Sequence, residues 1–259
     1  MRISDINPYT FKKLRPQIEA QIAEEARQHL IVFKDGDLVA RHLSANSLFC
    51  HSAVSMGYLS QEQINHAARR YRLGLSRDGG VIFWQIDHLQ QLYDGKIMYY
   101  RPDCHRDHHH HPTWVMSELK RFCLRGDYKL IQELPSQHCL FGTHLLAESK
   151  RDVVVVEAEK TAVIMSEIYP QYLWMAAGGL TELNDTKLFP LRGRKIIIIP
   201  DTDEQGQAYS YWSKICRKAQ ILLGQPIHLT PFLEQKASLS QKRRKIDFLD
   251  YYFETIKPR

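Results

Sequence analysis

Three carboxylates follow two strongly apolar segments of the chain. Glu157 comes directly after the run Val153–Val156, and Asp201 and Asp203 follow the apolar run at 196–199. Continuous apolar segments of this length are typical of strands that are buried on both faces of a parallel sheet. In an open parallel sheet, ligands bind outside the carboxyl ends of the strands. We therefore expect the three carboxylates to converge on one crevice.

Carboxylates brought this close repel each other unless a cation lies among them or a carboxyl pKa rises. Oxygen ligands of this kind suit Mg²⁺, which needs only one or two protein carboxylates beside waters and substrate phosphates. An isolated Asp-x-Asp is more often a helix cap, because the helix dipole favours acids at its N-terminus; Glu159 and Glu204 fit that interpretation. The additional glutamate at a matched strand end favours a metal site.

The elements that would position these acids follow a regular alternation from residue 152 onward. Strands are predicted at 153–157, 172–176 and 195–201, and helices at 159–168, 180–188 and 206–223. This order predicts a small parallel sheet with right-handed crossovers, and hence a doubly wound α/β domain.

The N-terminal half of the sequence predicts a different arrangement of secondary structure. Helices are predicted at 11–33, at about 45–56 and from the capping-box residue Ser60 to Tyr71, and an antiparallel strand pair at 81–87 and 95–101. The segment 102–138 is expected to be largely irregular. The predicted organisation is a helical N-terminal region at 1–58, an α+β subdomain at 59–150 and the α/β domain at 151–259.

Composition and missing motifs exclude several classes of protein. The 259 residues include 44% hydrophobic and 25% charged side chains, which predicts a soluble globular chain rather than a disordered one. No apolar run approaches the ~20 residues of a membrane helix, and the N-terminus does not resemble a signal peptide, so we expect a cytoplasmic protein. Five cysteines without a C-x-x-C pair predict reduced thiols. The Walker, G-x-G-x-x-G, G-x-S-x-G and H-E-x-x-H motifs are missing, which leaves ATPases, dinucleotide enzymes, serine hydrolases and zincins unsupported.

The net charge of +6 is compatible with a polyanionic partner but does not establish one. Lys96 and Arg101 lie near aromatic residues on the predicted hairpin, a combination that suits single-stranded nucleic acid. The basic run at 242–245 is interpreted as a solvated charged segment. The stretch 104–111 contains a cysteine and five histidines, but successive residues of one loop rarely supply the converging ligands of a zinc site, so zinc is not expected.

Three blocks of the sequence resemble the toprim domain of DnaG-type bacterial primases, topoisomerases and related nucleases: V-V-V-V-E-A-E-K-T-A, A-A-G-G-L and I-I-I-I-P-D-T-D-E-Q-G. The resemblance implies that Glu157 is the catalytic acid/base, and that Asp201 and Asp203 hold Mg²⁺ or Mn²⁺. Ala158 departs from the usual glycine, whereas the Gly178-Gly179 turn matches a small-residue turn of primases.

The resemblance extends over roughly residues 60–255. The blocks G-G-V-I-F-W-Q-I-D, G-K-I-M-Y-Y and C-L-F-G are similar to the α+β part of the primase catalytic core and to uncharacterised toprim proteins of mobile elements. K-I-D-F-L-D at 245–250 is similar to a Lys-Asp-x-x-Asp element that follows toprim domains. The implied fold is a C-terminal toprim domain with a small Rossmann-like parallel sheet, preceded by a primase-core-like α+β subdomain.

The function implied by this resemblance is Mg²⁺-dependent, primase-like nucleotidyl transfer on DNA, in the replication or transfer of a mobile element. It implies nucleic-acid-binding roles for Lys96, Arg101 and Lys160, and single-stranded DNA and nucleotides as partners. No zinc module is recognisable in residues 1–60, which weakens an autonomous primase and suggests a helicase or zinc-module partner. A toprim nuclease and a non-catalytic nucleic-acid-binding accessory protein are the alternatives.

Overall fold

Two four-stranded sheets, one antiparallel and one parallel, organise the chain in a computed structural model that describes residues 37–118 and 138–257. The helix predicted at 11–33 lies outside the described residues. Among the described residues, three helices precede the first sheet: α1 (Asp37–His42), α2 (Leu48–Ser55) and α3 (Gln61–Arg70). The sequence predicted α2 and α3, but not α1.

Helix α3 begins with the capping box that its sequence predicts. The Gln63 amide donates to Ser60 Oγ at 3.2 Å, and the Ser60 amide donates to Gln63 Oε1 at 2.9 Å. Two of the amide donors that a helix leaves unpaired at its N-terminus are satisfied in this way.

The antiparallel sheet contains the predicted hairpin at its centre. Its order is β1 (Gly74–Leu75), β2 (Val81–Ile86), β3 (Leu92–Met98) and β4 (Thr113–Trp114). Gly95 lies opposite Trp84, and a Cβ at this glycine would lie only 2.7 Å from the indole ring. A glycine is therefore required for the buried indole to lie across β3. The two-residue strands β1 and β4 are too short to have been predicted.

The parallel sheet confirms the doubly wound α/β prediction. Its strands are β5 (Val153–Val156), β6 (Leu173–Ala176), β7 (Ile196–Ile198) and β8 (His228–Leu229), in the order β6-β5-β7-β8. Helix α4 (Glu159–Ile168) follows β5, and helix α5 (Gln207–Leu223) follows β7. Since β6 and β7 lie on opposite sides of β5, the strand order reverses between β5 and β7.

The single helix predicted at 180–188 is wrong. The structure has two 3₁₀ segments, Leu180–Glu182 and Thr186–Leu191, separated by Asn184. The side-chain oxygen of Asn184 accepts hydrogen bonds from the Lys187 amide and from the Thr186 hydroxyl, both at 2.8 Å. These local bonds compete with a continuous helix.

The C-terminal part consists of the short helices α6 (Phe232–Lys236), α7 (Leu239–Arg243) and α8 (Phe248–Tyr251), followed by a π-helical turn at Tyr252–Ile256.

No helix in the described ranges is long and apolar enough to cross a membrane.

One hydrophobic core extends from α2 through both sheets to the C-terminal turn. Two contacts join the halves directly: Tyr71 Oη donates to the Trp174 carbonyl at 2.8 Å, and Phe141 and Ala176 exchange backbone hydrogen bonds. Phe141 also packs edge-on against Phe83 of β2, with ring centroids 5.3 Å apart, so the antiparallel sheet reaches the end of β6 through Phe141. The predicted domain boundaries at residues 58 and 150 stay predictions.

Candidate functional site

The three carboxylates singled out in the sequence line one cavity of about 390 Å³. Glu157 follows β5, and Asp201 and Asp203 follow β7, so all three lie at the carboxyl ends of adjacent parallel strands. The strand order reverses between these two strands, and such a reversal is where open α/β sheets place their ligand sites. The structure thus brings together the residues that the sequence predicted to converge.

Glu157 is held between two turns of the backbone. The Leu180 amide hydrogen-bonds to its carboxylate, and the Leu180 carbonyl accepts from Trp212 Nε1 at 2.9 Å. The Gly178 amide donates to the Glu157 carbonyl at 2.9 Å. Burial raises the pKa of Glu157 to about 7, and the negative charge of Asp247 adds to this effect. A carboxyl group with such a pKa can exchange a proton near neutral pH.

Asp201 is positioned by its neighbour Thr202. The Thr202 amide donates to the Ile246 carbonyl at 3.2 Å, and its hydroxyl donates to Glu234 Oε1 at 2.7 Å, so the segment after β7 is anchored to the C-terminal helices. Burial holds the pKa of Asp201 well above its usual range, and the charge of Glu157 raises it further. The two carboxyl groups therefore disfavour each other's ionisation.

Asp203 has a different environment. Its Oδ1 accepts from the Gln205 and Gln207 amides at 2.9 and 3.0 Å, and its Oδ2 accepts from the Ala208 amide at 2.8 Å. Partial burial raises the pKa of Asp203, but these three amides outweigh it and lower the pKa below its ordinary value. Asp203 is thus an ionised cap of helix α5. Oδ1 already accepts two hydrogen bonds, whereas Oδ2 accepts one and retains a second acceptor direction, so a metal-binding role of Asp203 stays a prediction.

Three cations of the run 242–245 line the same cavity as the acids. Lys242 pairs with Glu234 and Arg243 with Glu204, each at 3.1 Å. Lys245 is exposed, has a left-handed backbone conformation (φ 55°) and forms no ion pair within the described part of the chain. Arg243 and Lys245 are exposed, as the interpretation of this run as a solvated segment expects, and the structure adds that three of its cations line the cavity of the acids.

Lys160 is enclosed by two aspartates that sequence reasoning left out of the site. Its Nζ lies 3.4 Å from Asp247 Oδ2 and 3.7 Å from Asp250 Oδ1, and Thr161 Oγ1 donates to Asp247 Oδ2 at 2.7 Å. Burial lowers the pKa of Lys160, but the two aspartates outweigh it and hold the pKa above its usual value. Burial raises the pKa of Asp250 to about 6, and the charge of Asp247 raises it as well.

The Lys160 ammonium therefore lies in a buried ion-pair network, and its binding to nucleic acid stays a prediction. The signal that could have identified Asp247 and Asp250 is their capping-box spacing: Asp247 Oδ1 accepts from the Asp250 amide at 2.8 Å at the start of α8.

Lys96 and Arg101 occupy unlike positions. Lys96 lies in the seam between the two sheets, where Nζ contacts Glu159 Oε1 at 3.1 Å and donates to the Gly178 carbonyl. Arg101 is exposed and forms a bidentate pair with Asp103. The structure does not bring either cation into the cavity of Glu157, and their binding to nucleic acid stays a prediction.

The histidine-rich loop forms local contacts. His110 pairs with Asp107 at 2.7 Å and stacks on Tyr99, and His105 Nε2 lies 3.8 Å from Asp250 Oδ1. Over residues 37–118 and 138–257, no three acidic, histidine or cysteine side chains are arranged to enclose a metal ion.

The donor set at the strand ends nevertheless fits Mg²⁺. The fit rests on Asp201, whose ionisation is disfavoured by burial and by the nearby charge of Glu157; a divalent cation held by Asp201 and Asp203 would offset both effects. Mg²⁺ is commonly held by one or two carboxylates, with waters and phosphate oxygens completing its shell.

Solved structures similar to this chain include two from bacteriophage T7. The primase fragment of the T7 primase-helicase protein has 16% sequence identity and a TM-score of 0.46, with coverage of 78% of this chain and 68% of that chain. A structure of the T7 lagging-strand DNA polymerase interacting with primase domains bound to an RNA/DNA hybrid and dTTP has 16% identity and a TM-score of 0.45, with coverage of 79% and 85%.

No curated protein matches this chain. A family model matches residues 50–202, a range that contains Glu157 and Asp201 and stops before Asp203. The match covers more than half of the sequence, and the chain therefore belongs to the family described as a domain of unknown function, DUF6371.

Proposed function

We propose that this protein is a Mg²⁺-dependent, primase-like nucleotidyltransferase that acts on DNA. The observation that carries the proposal is one cavity in which buried, mutually repelling carboxyls face a row of cations. Acids that hold a divalent ion beside cations that bind phosphate are the arrangement that phosphoryl transfer needs. The setting in replication or transfer of a mobile element rests on the sequence resemblance alone.

In the proposed reaction, a 3′-hydroxyl attacks the α-phosphorus of a nucleoside triphosphate, and pyrophosphate leaves as the P–O bond to the β-phosphate breaks. Glu157 accepts the hydroxyl proton, as its pKa of about 7 permits. Lys245, Lys242 and Arg243, which line the same cavity, bind phosphate oxygens. Mg²⁺, held by Asp201 and Asp203, would supply charge neutralisation and alignment of the phosphate.

The partners in this proposal are single-stranded DNA as template, nucleotides as substrates, and a protein that carries a helicase or a zinc module. Lys245 supports the anionic partners most directly, because its ammonium forms no ion pair within the described residues. A left-handed conformation at a residue other than glycine is strained and is enriched at functional sites.

The test incubates the purified full chain with single-stranded DNA, four ribonucleoside triphosphates and Mg²⁺ or Mn²⁺. New oligonucleotides, lost at least about a hundredfold in Glu157→Gln and Asp201→Asn, would support the proposal. The matched control is Asp152→Asn, because Asp152 is a partly exposed carboxylate that precedes β5 at the opposite edge of the sheet. A template shortened in a Glu157-dependent way would indicate the nuclease instead, and retardation of DNA without either product would indicate an accessory binder.

A second readout does not need activity. Without metal, Asp201→Asn should raise the stability of the protein at neutral pH, because the Asp201 carboxyl is ionised in the unfolded chain, and burial beside Glu157 disfavours this ionised form in the folded protein. Mg²⁺ should raise the melting temperature of the wild type and leave that of the Glu157→Gln, Asp201→Asn double variant unchanged. A wild-type protein whose melting temperature does not respond to Mg²⁺ or Mn²⁺ would contradict the metal site.

A further inference from the structure

A second cavity, of about 470 Å³, lies beside the site of Glu157. Asp87 and Tyr93, from the two ends of the β2–β3 connection, form one wall, and the segment that follows Leu180 forms the other. Leu180 itself lines the cavity of Glu157, while its neighbour Thr181 lines the second cavity. The two cavities are therefore neighbours on either side of one turn of backbone.

We propose that this second cavity binds a nucleobase of the substrate whose phosphates lie beside Glu157. The proposal rests on the proposed function, since it places the phosphates of the same molecule in the first cavity. The volume of the second cavity lies within the roughly 300–1,000 Å³ that small-molecule sites occupy.

Asp87 provides an acceptor for an exocyclic amine. The residue is only 6% exposed, and its Oδ1 accepts from the Leu89 and Gln91 amides at 2.8 Å, which fixes the orientation of the carboxylate. Its Oδ2 has only a 3.4 Å contact with Tyr93 Oη, longer than the 2.5–3.0 Å of a good O–H···O bond. A buried carboxylate oxygen with this spare capacity favours a ligand that donates a hydrogen bond.

Asn184 provides the complementary donor. Its Oδ1 accepts from Thr186 Oγ1 and from the Lys187 amide, so these two bonds assign the oxygen and leave the amide nitrogen on the other side. Within the part of the chain that the structure describes, the Nδ2 donors have no acceptor. A fixed acceptor and a fixed donor in one cavity match a base edge, which carries both kinds of group.

The charges that line the two cavities suit different parts of a nucleotide. In the second cavity, Lys187 is neutralised by Glu182, with Nζ and Oε2 3.1 Å apart, and Asp87 leaves the wall negative. A phosphate is disfavoured there. In the first cavity, Lys242 and Arg243 are also paired with carboxylates, but Lys245 forms no ion pair within the described residues, and a divalent ion held by Asp201 and Asp203 would add positive charge that attracts a phosphate. A neutral base in the second cavity and phosphates in the first satisfy both surfaces.

His138 adds an aromatic surface. It lines the second cavity, and its ring stacks on Trp114 with centroids 3.9 Å apart and planes inclined by 23°. Stacking on aromatic side chains binds bases of any identity, so discrimination between bases would come from Asp87 and Asn184.

Trp114 provides the assay, because the other three tryptophans are buried and Trp114 is half-buried beside the cavity. Quenching of its fluorescence is titrated with ATP, GTP, CTP and UTP, and separately with oligomers of dA, dC and dT. The first arm tests free nucleotides and the second a template strand. In whichever arm binding is observed, Asp87→Asn should weaken the binding of amine-bearing bases about tenfold and leave the binding of uracil or thymine unchanged.

The variants are matched to this prediction. Asn at position 87 retains the oxygen that accepts from the Leu89 and Gln91 amides, and it replaces only the second oxygen by a donor. Asn184→Asp should weaken all bases, because every base carries an acceptor. The control Asp185→Asn alters a carboxylate of the same segment that does not line the cavity, and melting temperatures confirm that each variant is folded.

Equal weakening of all bases by Asp87→Asn, or none, overturns the base site, as does a wild type that binds neither nucleotides nor oligomers. If Glu157-dependent products persist in that case, the proposed function stands without this cavity. Base-dependent binding that follows Asp87 in a protein without any Glu157-dependent product would instead overturn the proposed function and retain the base site.

Discussion

The ion pair of Lys96 with Glu159 leads to a prediction that distinguishes a structural role of Lys96 from the nucleic-acid-binding role expected from the sequence. Lys96 Nζ lies 3.1 and 3.3 Å from the two carboxylate oxygens of Glu159, and the side chains are 11% and 2% exposed. The pair joins β3 of the antiparallel sheet to the first turn of α4, directly beside Glu157. Replacement of Lys96 by Met retains most of the aliphatic stem but leaves Glu159 buried without its cation.

The stability lost in Lys96→Met can be estimated from the burial of Lys96 and Glu159. Removal of one partner of a buried ion pair typically costs about 3–5 kcal/mol, because a buried charge remains uncompensated. Glu159 lies in the first turn of α4, where the helix dipole returns up to about 1 kcal/mol. We therefore expect Lys96→Met to lower the free energy of unfolding by about 3 kcal/mol, which corresponds to a fall of about 1 M in the urea midpoint.

The assay is urea unfolding of the wild type, Lys96→Met, Glu159→Gln and the double variant. The double variant should recover most of the lost stability, since it leaves no charge unpaired. Lys195→Met is the matched control: Lys195 is 67% exposed and lies 4.0 Å from Asp152, so its loss should cost at most about 1 kcal/mol. If Lys96→Met unfolds at the same urea concentration as this control and loses only affinity for single-stranded DNA, Lys96 is a nucleic-acid ligand and the structural reasoning is refuted.

Two further predictions concern stability. Burial lowers the pKa of His144 to about 4, against about 6.5 in the unfolded chain, so its contribution is present above about pH 6.5 and lost as the pH falls towards 4. Between about pH 7 and pH 4 the wild type should therefore lose about 3 kcal/mol more than His144→Gln in urea unfolding; equal losses would contradict this. Gly178→Ala should cost clearly more than Gly193→Ala: both have positive φ, but only at Gly178 would a Cβ approach Glu159, at 3.2 Å. Equal melting temperatures of the two variants would contradict the crowding.

Local patterns explain why much of the fold was predictable. The four valines of β5 are consecutive and all buried, so composition alone indicates a central strand. The capping box at Ser60 is a spacing of three residues, and it fixes where α3 begins. Convergence of Glu157 and Asp201 follows from strand polarity, since the carboxyl ends of parallel strands share one edge.

The partners of the cations could not be predicted in the same way. Lys96 and Glu159 are 63 residues apart, and Lys160 and Asp247 are 87 apart, so no local spacing encodes either contact. A lysine beside aromatics has the same pattern whether it faces a solvated groove or a buried carboxylate. Only the packing of the two sheets decides between these outcomes, and here it buries both lysines.

The distribution of buried charge supports the proposal that the site binds a divalent cation. Around the carboxyl ends of β5 and β7, the largely buried acids are Glu157, Glu159, Asp201, Asp247 and Asp250, and the buried cations are Lys96 and Lys160. Lys96 contacts Glu159, and Lys160 contacts Asp247 and Asp250, so neither ammonium forms an ion pair with Glu157 or Asp201. The uncompensated charge is therefore concentrated on the two carboxyls that lie at the strand-order reversal. Without a cation they lower their repulsion by holding protons. Glu157 accepts a proton from a hydroxyl only in its ionised form, and a divalent ion held by Asp201 and Asp203 would favour that form.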